Sequence, residues 1–202
     1  GPAGIAAAKE AADKKLDVIL VEQDNLLGGD QLAESEFKIE ETFEELKNLG
    51  IRIMTRTTAF GLYDNCVLGL IERITDHISE PNHILPRQRF WTIRAKHVIV
   101  GSGSLERHIA FNNNDVPGIM TVNASKHYLN RYGILTGASI VIATNNDSVY
   151  DTAELLYQAD AKVTVLDARN EIDLNINITK NIQIIFGTVP YNINGSRKIN
   201  SI

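Results

Sequence analysis

The chain has 202 residues, of which 44% are hydrophobic and 22% are charged, a composition that excludes a largely disordered or low-complexity chain. A net charge of -5 without a basic run argues against nucleic acid or an anionic membrane as partner. Cys66 is the single cysteine, so no disulfide forms within the chain, and no apolar run is long enough to span a bilayer. We therefore expect a cytoplasmic protein that does not enter the membrane.

The first fifty residues predict a helix, a strand and a second helix. Residues 4–15 are rich in alanine and other helix formers, and residues 16–22 contain the short β-branched apolar run of a buried parallel strand. Four apolar residues on one helical face between residues 37 and 49 predict the second helix. Gly50 stands where a C-terminal cap is expected.

The pattern then changes to a period of two. Alternating apolar residues, with a turn at Asp64-Asn65, predict a small antiparallel β-meander over about residues 51–95. A further apolar run at residues 97–100 predicts a strand that leads into the turn Gly101-Ser102-Gly103.

The second half repeats the strand–turn–helix–strand pattern after a linker without clear period at residues 105–120. We expect helices at residues 123–132 and 150–158, and strands at residues 138–143, 162–166 and 182–186. The chain thus predicts an α/β fold: a Rossmann-like FAD/NAD(P)-binding domain over residues 1–120 with the inserted antiparallel sheet, then part of a second, glycine-poor Rossmann-like domain over residues 121–202.

The opening residues carry the latter half of a dinucleotide-binding fingerprint. Gly1-Pro2-Ala3-Gly4 heads the first predicted helix, and Glu22 ends the strand that follows. In such a site Gly1 lets the backbone approach a pyrophosphate, Gly4 allows close helix–sheet packing, and the acidic side chain accepts hydrogen bonds from a ribose. The helix N-terminus offers free N–H groups to the phosphates. The competing interpretation is a small-residue turn that begins a core helix.

A second glycine turn follows the acidic residue. Gly28 and Gly29 can pass close to a bound nucleotide, although an ordinary loop before a helix would also use two glycines. The strand that precedes Gly1 in this fold is not in the sequence. We therefore expect the chain to be a fragment of a longer protein, cut at both ends, that is poorly stable alone and binds nucleotide weakly.

The corresponding turn of the second domain has no glycine. Residues 144–148 read Thr-Asn-Asn-Asp-Ser, and their side chains should obstruct a pyrophosphate. We expect Asp147 or Ser148 to cap the helix that follows, with a remodelled ligand contact through Asn145 and Asn146 as the alternative. Asp167 has the position of a ribose-binding acid, but without the glycines we interpret it as a vestige.

Other kinds of site find little support. The sequence has no Cys-x-x-Cys, its five histidines lack metal-ligand spacing, and no catalytic triad motif is present. Catalytic residues are therefore not assigned, and no metal site is expected.

Four stretches together carry a family likeness. Residues 1–4 with their acidic strand end, and residues 91–103, resemble the pyridine nucleotide–disulfide oxidoreductase superfamily. Residues 128–133 (Tyr-Leu-Asn-Arg-Tyr-Gly) and 144–150 (Thr-Asn-Asn-Asp-Ser-Val-Tyr) resemble the alpha subunits of heterotetrameric sarcosine oxidases. Where the superfamily has Ala-Thr-Gly, this chain has Gly101-Ser102-Gly103, in which Ser102 keeps the hydroxyl.

The resemblance implies a place in a multi-subunit oxidoreductase that demethylates sarcosine oxidatively. It implies NAD in the first domain, with FAD as the alternative, and a possible FMN site at a subunit interface. The partners would be a beta-type flavin-bearing subunit, which oxidises the amine, and smaller subunits. Two alternatives remain: a self-contained FAD-dependent NAD(P)H oxidoreductase, which the missing second glycine motif disfavours, and a nucleotide-binding scaffold without a redox role.

Overall fold

The structure, a computed structural model, describes residues 1–34, 36–82, 84–170 and 179–201. It divides into two compact units, Gly1–Ser104 and Leu105–Ile202. The division lies earlier in the chain than residue 120, where the sequence predicted it.

The linker belongs to the second unit because it is tied there by hydrogen bonds. The carboxylate of Glu106 accepts the N–H groups of Val122 and Asn123 at 3.2 and 2.8 Å. Further along, the amide of Asn113 donates to the carbonyl of Ile193 at 3.0 Å. Side chains far apart in sequence make these bonds, so no local pattern could have placed the boundary.

Over the residues that the structure describes, the first unit contains two α-helices and five strands. The elements are α1 (Pro2–Asp13), β1 (Ile19–Val21), α2 (Ile39–Asn48), β2 (Arg52–Met54), β3 (Thr57–Tyr63), β4 (Val67–Arg73) and β5 (Gln88–Arg94). Strands β1 and β2 are parallel, with Leu20 opposite Ile53. Both predicted helices are present, and the predicted strand at residues 16–22 is reduced to β1.

The core of the first unit lies between its two helices and the parallel strands. Ile5 and Ala8 of α1, Leu27, Leu46 of α2 and Ile51 are all buried in one cluster. At the end of α2, Gly50 has a φ of 77°, and the N–H of Ile51 returns to the carbonyl of Leu46 at 3.1 Å. This left-handed termination is the one predicted for Gly50, and it turns the chain into β2.

The β-meander begins later than predicted. Strands β3, β4 and β5 form an antiparallel sheet, with Leu70 of β4 opposite Ala59 on one side and Trp91 on the other. Residues 52–54 do not belong to it, because β2 pairs with β1 in the parallel sheet. The alternation of apolar residues at 51–55 fits either kind of strand, so the sequence could not choose the partner.

The predicted strand at residues 97–100 is not formed. These residues are assigned to no strand, and Ile99 and Val100 are 70% and 72% exposed. A strand requires a neighbour for its N–H and C=O groups, and the apolar run alone does not supply one.

In its described part, the second unit has a three-stranded parallel sheet, two α-helices and a separate antiparallel strand pair. Its elements are α3 (Val122–Tyr132), β6 (Ser139–Thr144), α4 (Tyr150–Gln158), β7 (Lys162–Asp167), β8 (Gln183–Phe186), β9 (Asn194–Gly195) and β10 (Ile199–Ser201). The sheet order is β6-β7-β8, and β9 and β10 form a separate antiparallel pair. The five elements predicted for residues 123–186 are all present within one or two residues of their predicted ends.

A single cluster holds this unit together. Tyr150, Ala153 and Leu156 of α4 pack on Val163 and Val165 of β7, and all five are buried. The C-terminal ends of β6 and β7 carry Thr144 and Asp167, which are paired in the sheet register. The turn between β6 and α4 therefore lies next to Asp167 at the end of β7, as in a Rossmann-like unit.

Candidate functional site

The first turn of α1 is the centre of the candidate site in the first unit. Gly1 precedes the helix, and its carbonyl accepts the N–H of Ile5 at 3.1 Å. Pro2 occupies the first helical position, where its lack of an N–H group costs nothing. The N–H groups of Ala3 and Gly4 have no acceptor inside the helix, because the first turn of any helix leaves its donors unpaired. Pro2 and Ala3 are exposed, so this end of the helix is open to a ligand.

The turn formed by Gly28 and Gly29 lies directly beside Gly1. Both glycines have positive φ, 133° and 58°. A Cβ added to Gly29 would lie 2.9 Å from the Cα of Gly1, and one added to Gly28 would lie 2.6 Å from the ring of Phe37. Neither position accepts a side chain without displacement of its neighbour. The two predicted glycine motifs of the first domain are thus brought together.

Gly101 approaches the same turn of α1. A Cβ at Gly101 would lie 3.0 Å from the backbone nitrogen of Gly4 and 3.2 Å from its Cα. At Gly4 itself, a Cβ would meet only the side chain of Leu20 at 3.7 Å, an ordinary contact. The close approach to α1 is therefore made through the absence of a side chain on Gly101, and the helix–sheet packing role predicted for Gly4 stays a prediction.

The remaining two residues of that turn make no comparable contact. Ser102 is exposed, and Gly103 has a φ of 69° with open space where a Cβ would stand. Their role in nucleotide binding stays a prediction.

Glu22 lies at the end of β1, beside α1. One oxygen of its carboxylate accepts the N–H of Asp24 at 3.0 Å. The side chain is only 13% exposed, so its burial and this contact fix its orientation. An ionised carboxylate can accept about four hydrogen bonds, which leaves capacity for two ribose hydroxyls. The contact from Asp24 has no signal in the sequence, since the donor is a backbone group.

The turn after β6 in the second unit is capped differently from the prediction. Asn146 caps the short 3-10 turn Asp147–Val149 that precedes α4: its side-chain oxygen accepts the N–H of Ser148 at 3.0 Å and the hydroxyl of Ser148 at 2.6 Å. Helix α4 itself begins at Tyr150 without a side-chain cap. Asp147 and Ser148, which the sequence favoured as caps, do not have that role. Asp147 is one residue too late in the turn, and its carboxylate instead accepts from Arg169 at 2.8 Å.

Asp167 is fully buried at the end of β7 and completely engaged. It accepts the hydroxyl of Tyr150 at 2.7 Å, and it accepts the Nε, the Nη2 and the backbone N–H of Arg169 at 3.0, 2.8 and 2.9 Å. The vestige predicted at this position is therefore a structural anion, and its partners Tyr150 and Arg169 were missed. Only a weak signal for these partners is present in the sequence, since Arg169 stands two residues after the acid.

The contacts in this network favour the ionised form of Asp167 and the neutral form of Tyr150. Hydrogen bonds from Arg169, with a further one from Tyr150, lower the pKa of Asp167 to about 2. Burial, together with the hydrogen bond to Asp167, raises the pKa of Tyr150 to about 12. Arg169 forms ion pairs with Asp167, the last residue of β7, and with Asp147 in the turn after β6. In a dinucleotide-binding unit, the nucleotide would contact these same two elements.

Among the residues that the structure describes, no group of three or more His, Cys, Asp or Glu is arranged to hold a metal ion. None of the helices described is long and apolar enough to cross a bilayer.

The chain belongs to the family of sarcosine oxidase alpha subunits, as its known relatives show. It is 38% identical to sarcosine oxidase subunit alpha of Rhizobium meliloti (strain 1021) over 84% of this chain, and 35% identical to that of Corynebacterium sp. (strain U-96) over 95%. No protein-family model matches. The chain spans 18% and 21% of these relatives' lengths, so it corresponds to one segment of them. The resemblance found in the sequence is thereby confirmed.

Solved structures support the fold. L-proline dehydrogenase from P. horikoshii aligns with a TM-score of 0.59 at 23% identity, covering 92% of this chain and 40% of that protein. A NAD-dependent persulfide reductase from A. fulgidus aligns with a TM-score of 0.67 at 12% identity, covering 97% and 40%. At these identities the likeness establishes architecture alone, and it confirms the predicted α/β, Rossmann-like FAD/NAD(P)-binding fold.

The close contact between the glycine turn and α1 predicts the effect of one methyl group. Gly29→Ala and Gly50→Ala both place alanine at positive φ, which costs about 1–2 kcal/mol. Gly50 has open space around it, whereas the new methyl at Gly29 meets the Cα of Gly1, for a further ~1–3 kcal/mol. Urea unfolding should therefore show a larger loss of stability for Gly29→Ala. An equal or smaller loss would contradict the contact.

The lowered pKa of Asp167 predicts a specific acid sensitivity. Because the folded-state pKa, about 2, lies below the ordinary 3.8, the carboxylate stabilises the fold above about pH 4, and this stabilisation is lost as the pH falls towards about 2. Asp167→Asn does not titrate there, so its urea midpoint should change less between pH 4 and pH 2. Asp151→Asn, an exposed position on α4, is the control and should follow the unmodified chain. A steep acid decline in Asp167→Asn would exclude this carboxylate as the cause.

Proposed function

We propose, from the homology of this chain to one segment of the sarcosine oxidase alpha subunits, that it is the nucleotide-binding part of such a subunit in a multi-subunit amine oxidoreductase. The proposed reaction of the assembly is the oxidative demethylation of sarcosine or a related secondary amine. On this proposal the amine is oxidised on another subunit, and this chain binds a nucleotide.

The observation that carries the proposal is the junction at the first turn of α1. Gly29 and Gly101 both approach α1 so closely that a side chain on either would press against its backbone. The open helix end beside them offers N–H groups and a partial positive charge, which suits a pyrophosphate. Glu22, whose carboxylate accepts the N–H of Asp24, would accept the hydroxyls of an adenosine ribose.

The nucleotide proposed for this site is NAD, with FAD as the alternative. Gly1, Gly4 and Glu22 would hold the ADP half that the two cofactors share, so these residues do not distinguish them. When bound, either cofactor supplies hydride-transfer chemistry. This chain would bind the pyrophosphate through backbone groups and orient the ribose. The closely packed glycines would determine how near the nucleotide comes to the backbone. Gly28, Ser102 and Gly103 would complete the border of the site.

The second unit is proposed to hold no dinucleotide in the standard way. Asn145, Asn146 and Asp147 replace the glycines after β6, and Asp167 has no exposed surface with which to bind a ribose. Arg169 already connects these two elements. This disfavours a self-contained NAD(P)H oxidoreductase, which needs a second nucleotide site.

The partners follow from the relatives' name, which is that of a subunit. We propose a beta-type flavin-bearing subunit and smaller subunits as partners, a cytoplasmic location for the assembly, and an FMN site where this subunit meets the beta-type subunit.

The proposal is tested by releasing what the assembled protein carries. The full-length subunit is purified with its neighbouring subunits, the small molecules are released by heat, and they are identified by chromatography and mass. We expect NAD. Glu22→Ala removes two charge-assisted hydrogen bonds of about 1.5–3 kcal/mol each, so NAD affinity should fall at least tenfold. Glu10→Ala, which removes an exposed carboxylate paired with Lys14 on the same helix, is the matched control and should retain NAD.

Three other results would each change the proposal. Release of stoichiometric FAD, reducible by NADPH in the lone subunit, would favour the self-contained reductase. A nucleotide bound without any oxidation of secondary amines by the assembly would favour a scaffold. Equal loss of nucleotide in the Glu22 and Glu10 variants would refute the placement of the ribose at Glu22.

A further inference from the structure

Arg73, the last residue of β4, borders a cavity of about 400 Å³ in the first unit. The other lining residues are Gln23 and Asp24, which follow β1, and Thr58 of β3. The N–H of Asp24 donates to the carboxylate of Glu22 at 3.0 Å, so the cavity adjoins the place proposed for the ribose. Its volume lies at the small end of the range for ligand pockets, about 300–1,000 Å³, and so suits one part of a ligand.

Backbone hydrogen bonds hold the walls of this cavity. The carbonyl of Glu22 accepts the N–H of Thr57 at 2.9 Å, and the carbonyl of Asp24 accepts the N–H of Arg56 at 2.7 Å. The carbonyl of Arg56 in turn accepts the N–H of Arg73 at 3.0 Å. Three segments are thereby joined through their main chains, so a ligand can enter without breaking the contacts that form the walls.

The guanidinium of Arg73 is held by a single backbone group. Its Nη2 donates to the carbonyl of Gln23 at 2.5 Å, and the side chain is exposed. Such a hydrogen bond lies in the plane of the guanidinium, and an arginine held in this way can stack a face on an aromatic ring. The bond therefore orients a planar group at the border of the cavity.

The groups of an adenosine diphosphate and the residues beside them follow the same order. The open end of α1 suits the pyrophosphate, and Glu22 would accept the ribose. The base is bonded to the ribose and extends away from the phosphates, so it would lie beyond Glu22. Gln23 and Asp24, the next two residues of the chain, form a wall of the cavity there.

The chemistry of the walls suits a purine base. The amide of Gln23 and the hydroxyl of Thr58 both donate and accept hydrogen bonds. Adenine presents an amino donor and ring-nitrogen acceptors along its edges. Proteins commonly hold an unpaired base by stacking it on an aromatic ring or an arginine and by bonding its edges, and this cavity combines an arginine with such groups.

We propose that Arg73 is a binding residue of the nucleotide site, with its guanidinium plane stacked on the adenine base in this cavity. The inference rests on the proposed function, because it takes a nucleotide at the first turn of α1 as given. It applies to NAD and to FAD alike, since both contain adenine.

The experiment is calorimetric titration of the assembled, full-length protein after removal of its own nucleotide, with ADP-ribose and inorganic pyrophosphate as probes. Arg73→Ala should bind ADP-ribose about tenfold more weakly. Arg73→Lys keeps the charge and a donor for the carbonyl of Gln23 but has no planar group, so it should remain at least about threefold weaker. Because pyrophosphate has no base, its affinity should be unchanged in Arg73→Lys.

Arg52→Ala is the matched control. It removes an exposed arginine of β2 in the same unit that does not line this cavity, and it should bind both probes as the unmodified protein does. Circular dichroism of each variant checks that the fold is retained.

The outcomes separate this inference from the proposed function. Unchanged affinity of Arg73→Ala for ADP-ribose, or full recovery in Arg73→Lys, would overturn the stacking of Arg73 and leave the proposed function standing. An equal loss for pyrophosphate in Arg73→Lys would overturn it as well, because the cause would then lie at the helix end. If the unmodified assembly binds neither probe, the proposed function fails together with the inference.

Discussion

The structure of the first unit depends on the absence of side chains around the first turn of α1. A methyl group on Gly29 would come within 2.9 Å of the Cα of Gly1, and one on Gly101 within 3.0 Å of the nitrogen of Gly4. Three segments far apart in sequence can therefore meet at the helix N-terminus, where unpaired N–H groups face outward. Close backbone approach and unpaired donors are what a pyrophosphate requires, so the packing constraint and the proposed binding site are the same feature.

The second unit has no glycines at the corresponding turn, residues 144–148, and its own side chains occupy that place. Its turn after β6 is closed by Asn146, and its acid after β7 is saturated by Tyr150 and Arg169. Burying a carboxylate requires compensating donors, and here they come from the chain itself rather than from a ligand. The contacts that a nucleotide would make with these elements are thus replaced by internal ones.

The sequence predicted local structure well where pattern and chemistry agree. The helix predicted at residues 150–158, the strand predicted at residues 162–166 and the helix end predicted at Gly50 are all observed. It failed where an outcome depends on a distant partner: residues 52–54 joined the parallel sheet rather than the meander, and residues 97–100 formed no strand.

Within the site, the glycines and Glu22 could be predicted from spacing, because the fingerprint is local. The saturation of Asp167 by Arg169 and the role of Gly101 against α1 could not, because they depend on three-dimensional approach.

We propose that a nucleotide binds at the first turn of α1 in the first unit and not at the corresponding turn of the second. Hydrogen exchange of the assembled protein, with and without its nucleotide, distinguishes the two places, since it reports on backbone N–H groups in both. We expect slower exchange with nucleotide at the start of α1, at residues 28–33 and at residues 101–103, and no change at residues 144–150. Protection at residues 144–150, with none at the start of α1, would contradict it.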